Sequence, residues 1–450
     1  MYKHIYLTIL ISIFTSISIA QNYAVVYHEQ SNTLEFEIND FSLRSIKLDK
    51  TDFTKIEFEG SVSSNQKGFA ELPFLHASLS LNPIKNIRVS IINSEFEDHQ
   101  LEFPLVPSRG VIYRDQDPNQ IPYEISPESM VDSFYPENLT SLTEPFIIKD
   151  IRGTSIYVYP FRYNAITQTL RVYKNITLQI EDDDSTPINP LVKTSGKVFK
   201  EMEGIYSSIF INYQNNLDDL SLAEAGDILV ITTARDQSAI QPFIDWKMEK
   251  GYNVSKKVVA TGTNVKSLIQ QNYNANPDLL YVQLVGDWAD IKSNLGGGAN
   301  APMDPMLGCV SGSDNYPDIA IGRFSASSAA QVTIQVNKVL NYEKNPAGSW
   351  YANAIGVASN QGTGDDNEID YQQVQIIYDS KLDPFTYDNY SYAYDPSANS
   401  TMVKNYINAG AGIINYCGHG SMTSWGSSGF SNTNISQLSN GNMLPIIFSV

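Results

Sequence analysis

Histidine is scarce in this chain. Of 450 residues five are histidine, and His4, His28, His76 and His99 all fall in the first hundred positions. From residue 100 onward only His419 remains. That excludes a multi-histidine metal centre from the larger part of the chain, and no His-x-x-x-His pair exists anywhere. Cysteine is scarcer still, with Cys309 and Cys417 alone. Two cysteines cannot build a disulfide framework, and both lie beside glycine-rich segments, so both are read as thiols. Basic charge is short: 30 Lys and Arg stand against 49 Asp and Glu, for a formal net charge of −19. No Lys/Arg cluster forms the basic face that a nucleic-acid partner would need. After the first twenty residues no stretch reaches the ~18 consecutive apolar residues of a spanning helix. The mature chain thus has no transmembrane segment. Internal repeats and low-complexity tracts are also missing.

What is present divides into three parts. Residues 1–20 read as a signal peptide: "MYKH" gives a positive start, "IYLTILISIFTSI" an apolar core, and Ser18-Ile19-Ala20 a small-residue cleavage pattern. The protein is then exported, to be secreted or held at the cell surface. Residues 21–215 read as β-structure. "TLEFEI" and "KIEFEG" alternate apolar and polar side chains, and "SIYVYPFRYNAITQTLRVYKNITLQIED" reads as a hairpin around the turn "NAIT". No convincing helix precedes residue 190, which predicts an all-β domain, a sandwich.

From residue 226 the grammar changes. Apolar strands such as "DILVITT", "LLYVQLVGD", "AIGVASN", "AGIINYCGHG" and "LPIIFSV" alternate with helical segments such as "DQSAIQPFIDWKMEKGY" and "AAQVTIQVNKVLNYEKNP". Strands this apolar, separated by helices, predict a mainly parallel sheet covered on both faces. "LPIIFSV" reads as a fully buried strand. The join near 200–226 is polar and acidic, has no Lys or Arg from Glu201 to Ala234, and contains an exposed loop.

In open parallel sheets, ligands bind at the carboxyl ends of strands. His419 leaves such an end between Gly418 and Gly420. Glycine allows a sharp exit and a close substrate approach, and the Gly420 N–H is free to meet a developing oxyanion. His419 is the candidate base. It needs a nucleophile, and Cys417 is badly placed: two residues away on one strand, its Cα lies ~6–7 Å off. Cys417 reads instead as a small residue packing the sheet. The next strand, "LPIIFSV", offers the better approach. Strand, loop, strand is the arrangement in which caspase-like peptidases carry histidine and then cysteine, and here the cysteine position falls just past Val450. Asp287 in "LVGD", and Asp318 and Arg323 in "YPDIAIGRF", also stand near strand ends. Arg323 reads as a loop anchor and Asp314 as a turn residue. "GTGDDNEID" gathers Asp365, Asp366, Glu368 and Asp370; a solvated acidic turn and a calcium site made of oxygen ligands both fit.

"NYCGHGSMTSWG" followed by "LPIIFSV" resembles the gingipain family of cysteine peptidases, and so do "SGSDNYPDIAIGRFSASS", "LVGDWADI" and "SNQGTGDDNE". The resemblance extends to the β-rich half, whose "ELPFLHASLSL" looks like the family's propeptide. It implies a caspase-like catalytic domain over 226–450, incomplete at its C-terminus, and a secreted cysteine endopeptidase made as a zymogen. Catalysis would fall to His419 with Asp318 as its acidic partner and Gly420 as an oxyanion donor. Protein or peptide substrates follow, no cofactor is required, and a structural calcium near Asp365, Asp366 and Glu368 is the ion the family would add. A type IX-like secretion system would act through a C-terminal domain outside this sequence. Two other readings stay open: a catalytically inactive surface binding module, and a sortase-like processing peptidase of an export system. A cysteine just after Val450 separates the enzyme from the module.

Overall fold

The computed structural model describes residues 22–113, 116–213, 222–223, 225–297, 300–344, 348–362 and 368–450. The signal-peptide reading of residues 1–20 lies outside the described residues, as does most of the acidic loop in the join.

The alternation in the first half does what period-2 patterns do. "TLEFEI" turns Leu34, Phe36 and Ile38 to one side. They meet Leu75, Ala77 and Leu79 from a second sheet in one apolar core. The first sheet runs Tyr23–His28, Thr33–Ile38, Thr169–Asp183, Phe161–Asn164, with Asn86–Gln100 also paired to Thr169–Asp183. The second runs Val62–Ser63, Pro73–Ser80, Ile151–Val158, Thr140–Leu142, with Phe146–Ile148 also on Ile151–Val158. The two sheets face each other as an all-β sandwich.

The second half is α/β, but its parallel strands form two sheets. The first sheet holds β1 (Asp227–Thr233), β2 (Val254–Val259), β3 (Leu279–Val285) and β4 (Ala320–Phe324) in the order β2-β1-β3-β4. The second holds β5 (Asn353–Ala358), β6 (Asn389–Tyr394), β7 (Ile413–Cys417) and β8 (Ile446–Ser449) in the order β6-β5-β7-β8. Each sheet places its strands second, first, third, fourth. The topology is therefore repeated although the sequence shows no repeat: topology constrains apolarity and strand order, not residue identity.

Helices cover the sheets as their periodicity requires. On one face of the first sheet, Phe243 and Ile244 of α2 (Gln241–Glu249) pack with Val332 and Val336 of α4 (Ala329–Lys344). On the other lie Ile269 and Tyr273 of α3 (Lys266–Ala275). Val403 and Ile407 of α6 (Ser400–Ala409) pack on Ile355, Val357, Ile414 and Tyr416 of the second sheet.

One expectation needs correction, and the join holds an element the sequence did not indicate. That element is α1 (Lys200–Ile209), which begins the join and buries Met202 and Tyr206 against Phe146, Phe199, Phe210 and Leu280 of β3. Its apolar positions are too few to stand out in a polar sequence. The correction is that β8 is not buried. Ile446, Ile447 and Phe448 are 55%, 49% and 56% exposed, because β8 is the edge strand of its sheet among the described residues. Apolarity alone does not distinguish an edge from a centre.

The two halves meet at the amino ends of β3 and β4. There Lys149 is fully buried, its Nζ donating to the carbonyls of Pro277 (2.6 Å) and Leu279 (2.7 Å). Burial pulls its ammonium down to about 8. Asp314 accepts from the Ile147 N–H (2.8 Å) and the Asn189 amide (2.6 Å).

Candidate active site

His419 stands just beyond the end of β7, after Gly418, at the carboxyl end of the second sheet, and it is exposed. β7 lies between β5 and β8, and both neighbours are parallel to it. The Tyr416↔Ser449 register brings the end of β8 level with the end of β7. The Val450 N–H donates to Tyr416 O at 3.0 Å, and the Gly418 N–H donates to Val450 O at 3.1 Å. Chain leaving β8 is thus delivered beside the strand exit that carries His419. Parallel neighbours run ~4.8 Å apart, so a side chain there can reach hydrogen-bond distance of the imidazole with a small loop adjustment.

The turn after His419 is closed. Gly420 and Trp425 form an antiparallel bridge, whose bonds run from Gly426 N–H to His419 O (2.6 Å) and from Ser421 N–H to Ser424 O (2.8 Å). Neither bond uses the Gly420 N–H, which leaves it available to an anionic oxygen. Below this turn, a cavity of about 1030 Å³ runs between α4 and the exposed side of β8, with Tyr342, Trp425, Ile446 and Ile447 in its walls.

Cys417 is half-buried, and its carbonyl accepts the Ser359 N–H at 3.0 Å, as expected of a residue inside the sheet. Neither Cys417 nor Cys309 is in a disulfide.

The structure does not bring Asp318 to His419. Asp318 precedes β4, so it lies at the amino end of a strand in the first sheet, whereas His419 lies at the carboxyl end of a strand in the second. Its carboxylate is already occupied. Oδ1 accepts the Lys149 N–H (3.0 Å), and Oδ2 accepts those of Val310 (2.7 Å) and Ser311 (2.7 Å). Burial pushes the Asp318 carboxyl up to about 7, although these N–H donors favour its ionised form. One of the three bonds crosses to the N-terminal half, and the other two hold its own loop. Hydrogen bonds between the two halves gather at this end, and among the described residues none reaches His419.

Asp287 ends at the carboxyl edge of the first sheet and accepts the Trp288 N–H at 2.7 Å. Arg323 is the anchor that its position suggested, paired with Asp304 at 2.7 and 2.9 Å. Of the acidic turn, Asp365 and Asp366 lie outside the described residues, and Glu368 is half-buried. Among the described residues no group of three or more metal-binding side chains occurs.

One carboxylate of that acidic run stands at the right edge, in a place the sequence did not indicate. Asp370 opens α5 (Asp370–Ile377), is 6% exposed, and accepts a hydrogen bond from the Ser359 hydroxyl at the end of β5. The Ser359 Cβ lies 3.5 Å from where a Cβ on Gly418 would sit. The signal in the sequence was Asp370's place at the end of an acidic run, where a solvated turn and a calcium site both fit and a bond to Ser359 was not indicated.

The model of peptidase family C25 matches residues 221–450, and the C25 propeptide model matches residues 20–219. Gingipain R2 of Porphyromonas gingivalis is 31% identical over 435 residues, which are 94% of this chain and 59% of that protein. The chain therefore spans about three-fifths of that relative's length. Lys-gingipain HG66 of the same organism is 24% identical over 434 residues, 90% of this chain and 24% of that protein. A solved structure of the Arg-specific cysteine proteinase gingipain R is 33% identical, covers 51% of this chain and 55% of that one, and has a TM-score of 0.48.

Proposed function

The chain belongs to peptidase family C25, and we propose that it is the precursor of a cysteine endopeptidase in which His419 is the general base. The observation that carries this reading is the pairing of β7 with β8, which sets the exit of β8 beside His419. A thiol on the residues that follow Val450 meets the imidazole there. His419 takes the S–H proton, the thiolate attacks the peptide carbonyl, and the same proton passes to the leaving amine. The Gly420 N–H faces the oxyanion formed in that attack. The substrates are proteins or peptides. Export belongs to the same proposal and rests on the pattern of residues 1–20; among the described residues no helix is long and apolar enough to cross a membrane.

Latency is assigned to residues 21–215 as a separately folding propeptide docked through Lys149, Asp318 and Asp314. Limited proteolysis should cut first between residues 210 and 226, beyond the buried face of α1. A first cut deep inside either half would overturn the boundary.

Peptide hydrolysis by the full-length protein tests the main reading. Activity should require a free thiol and disappear in His419→Ala. Thiol-independent hydrolysis would overturn the cysteine mechanism, and no hydrolysis under any condition would favour a binding module.

A further inference from the structure

The His419 ring is exposed, and among the described residues no hydrogen bond orients it. Catalytic histidines are ordinarily oriented by a third group bonded to the ring. Here the order enters through the backbone. Tyr416, three residues earlier on β7, is 1% exposed. Its hydroxyl donates to the His419 carbonyl and accepts the Gly426 N–H at 3.0 Å. Its ring stacks on Trp425 with centroids 4.5 Å apart and planes within 6°. Trp425 is itself held by its backbone N–H, which donates to Phe430 O at 2.9 Å.

The two glycines on either side make room for this arrangement. A Cβ on Gly418 would lie 2.8 Å from the Tyr416 hydroxyl oxygen, and a Cβ on Gly426 would lie 2.5 Å from His419 O. Neither contact is tolerable. The glycine before His419 therefore serves the phenol that passes beneath it as well as the strand exit. The His419 backbone is clamped between β7 on one side and the Tyr416–Trp425 stack on the other.

We propose that Tyr416 is a positioning residue for His419, its hydroxyl fixing the imidazole relative to the attacking thiol. This rests on His419 being the general base. Tyr416 transfers no proton; it narrows the range of positions from which His419 does so.

Tyr416→Phe in the full-length protein keeps the ring stack and removes the bond. In that variant kcat should fall by about tenfold while KM stays within about twofold, since a misplacement of ~1 Å at a reacting group costs rate more than binding. The His419 ring resonance, assigned by its loss in His419→Ala, should broaden or split in Tyr416→Phe. Trp425→Leu should lose part of the same rate, and the double variant should lose less than the product of the two single losses. A Tyr416→Phe protein with unchanged kcat and an unchanged His419 resonance would overturn the proposal. So would a lowered melting temperature as its sole effect. If His419→Ala leaves hydrolysis intact, the choice of base has failed; the ring resonance then still decides whether Tyr416 orders this histidine.

Discussion

The two parallel sheets share one strand order and differ at one edge. At the carboxyl edge of the first, the Gly286 N–H donates to Phe324 O at 2.9 Å; in the second, the Gly418 N–H donates to Val450 O at 3.1 Å. Gly286 and Gly418 each follow the third strand of their sheet, so Asp287 and His419 are counterparts. Around Asp287 the edge is closed. Arg235 pairs with Asp236 at 2.7 Å and Asp290 at 2.8 Å, and donates to Ala326 O at 3.0 Å. Both carboxylates are buried, and together they raise the Arg235 pKa. Around His419, among the described residues, no ion pair closes the edge, and the histidine is exposed. One scaffold has thus spent its strand-end positions on an internal ion cluster in one copy and left them open in the other. A parallel sheet supplies the place for chemistry; which copy uses it depends on what fills the edge.

The largest effect should separate the counterparts. His419→Ala should lower turnover by about a thousandfold or more, within the range of a lost general base. Asp287→Ala should leave peptide hydrolysis within about twofold, because among the described residues its carboxylate bonds within its own turn. Equal losses in a hydrolysis assay would erase the distinction between the two edges.

Next, Arg235→Ala should destabilise the first sheet. It leaves Asp236 and Asp290 buried without their cation, for a cost of about 2–3 kcal/mol. The figure sits below that for a fully buried pair because Arg235 is itself partly exposed. A chemical-denaturation midpoint close to that of the unmodified protein would show that the cluster is dispensable.

At the opposite, amino end of the first sheet, Asp318 gives a pH test. Its folded-state pKa is raised by burial to about 7, so the native state holds that proton more tightly than the unfolded chain does. This contribution is fully present below the ordinary carboxyl pKa and is lost as pH rises through 7, at up to about 1.4 kcal/mol per pH unit. Asp318→Asn removes the titration and keeps an oxygen acceptor. The melting temperature of the unmodified protein minus that of the variant should therefore fall between pH 4 and pH 7. A flat difference would mean that Asp318 does not titrate at this interface.

The smallest effect concerns the thiol on the His419 strand. Cys417→Ala should keep turnover within about twofold, as a small change at a half-buried packing position. Loss of hydrolysis in a folded Cys417→Ala protein would transfer the nucleophile to that strand.

The open edge was legible in sequence because its signals are local. A lone histidine framed by glycines at the end of an apolar run marks a strand exit, and β7, β8 and His419 lie as that pattern implies. The partners of Asp318 were not legible. "YPDIAIGRF" is a local motif, but the Lys149 N–H that meets this carboxylate lies 169 residues earlier. Nor does βα alternation reveal where one sheet ends and the next begins. Hydrophobicity marked β8 as a strand but could not say that it pairs on one side alone among the described residues. Tyr416 and Trp425 carried no signal of their own, since a stack across a turn has no periodicity. The meeting of Ser359 and Asp370 across the end of β5 was illegible for the same reason, and an acidic run lies between them.

Mapping the reactive thiol of the full-length protein is the most direct check on the open edge. The protein would be treated with a thiol-directed peptide inhibitor, digested, and the labelled residue located by mass spectrometry. The label is expected on a cysteine in the residues immediately following "IIFSV", and its rate of incorporation should drop in His419→Ala. A label on Cys417 or Cys309, or a rate indifferent to His419, would contradict the assignment of this edge as the active site.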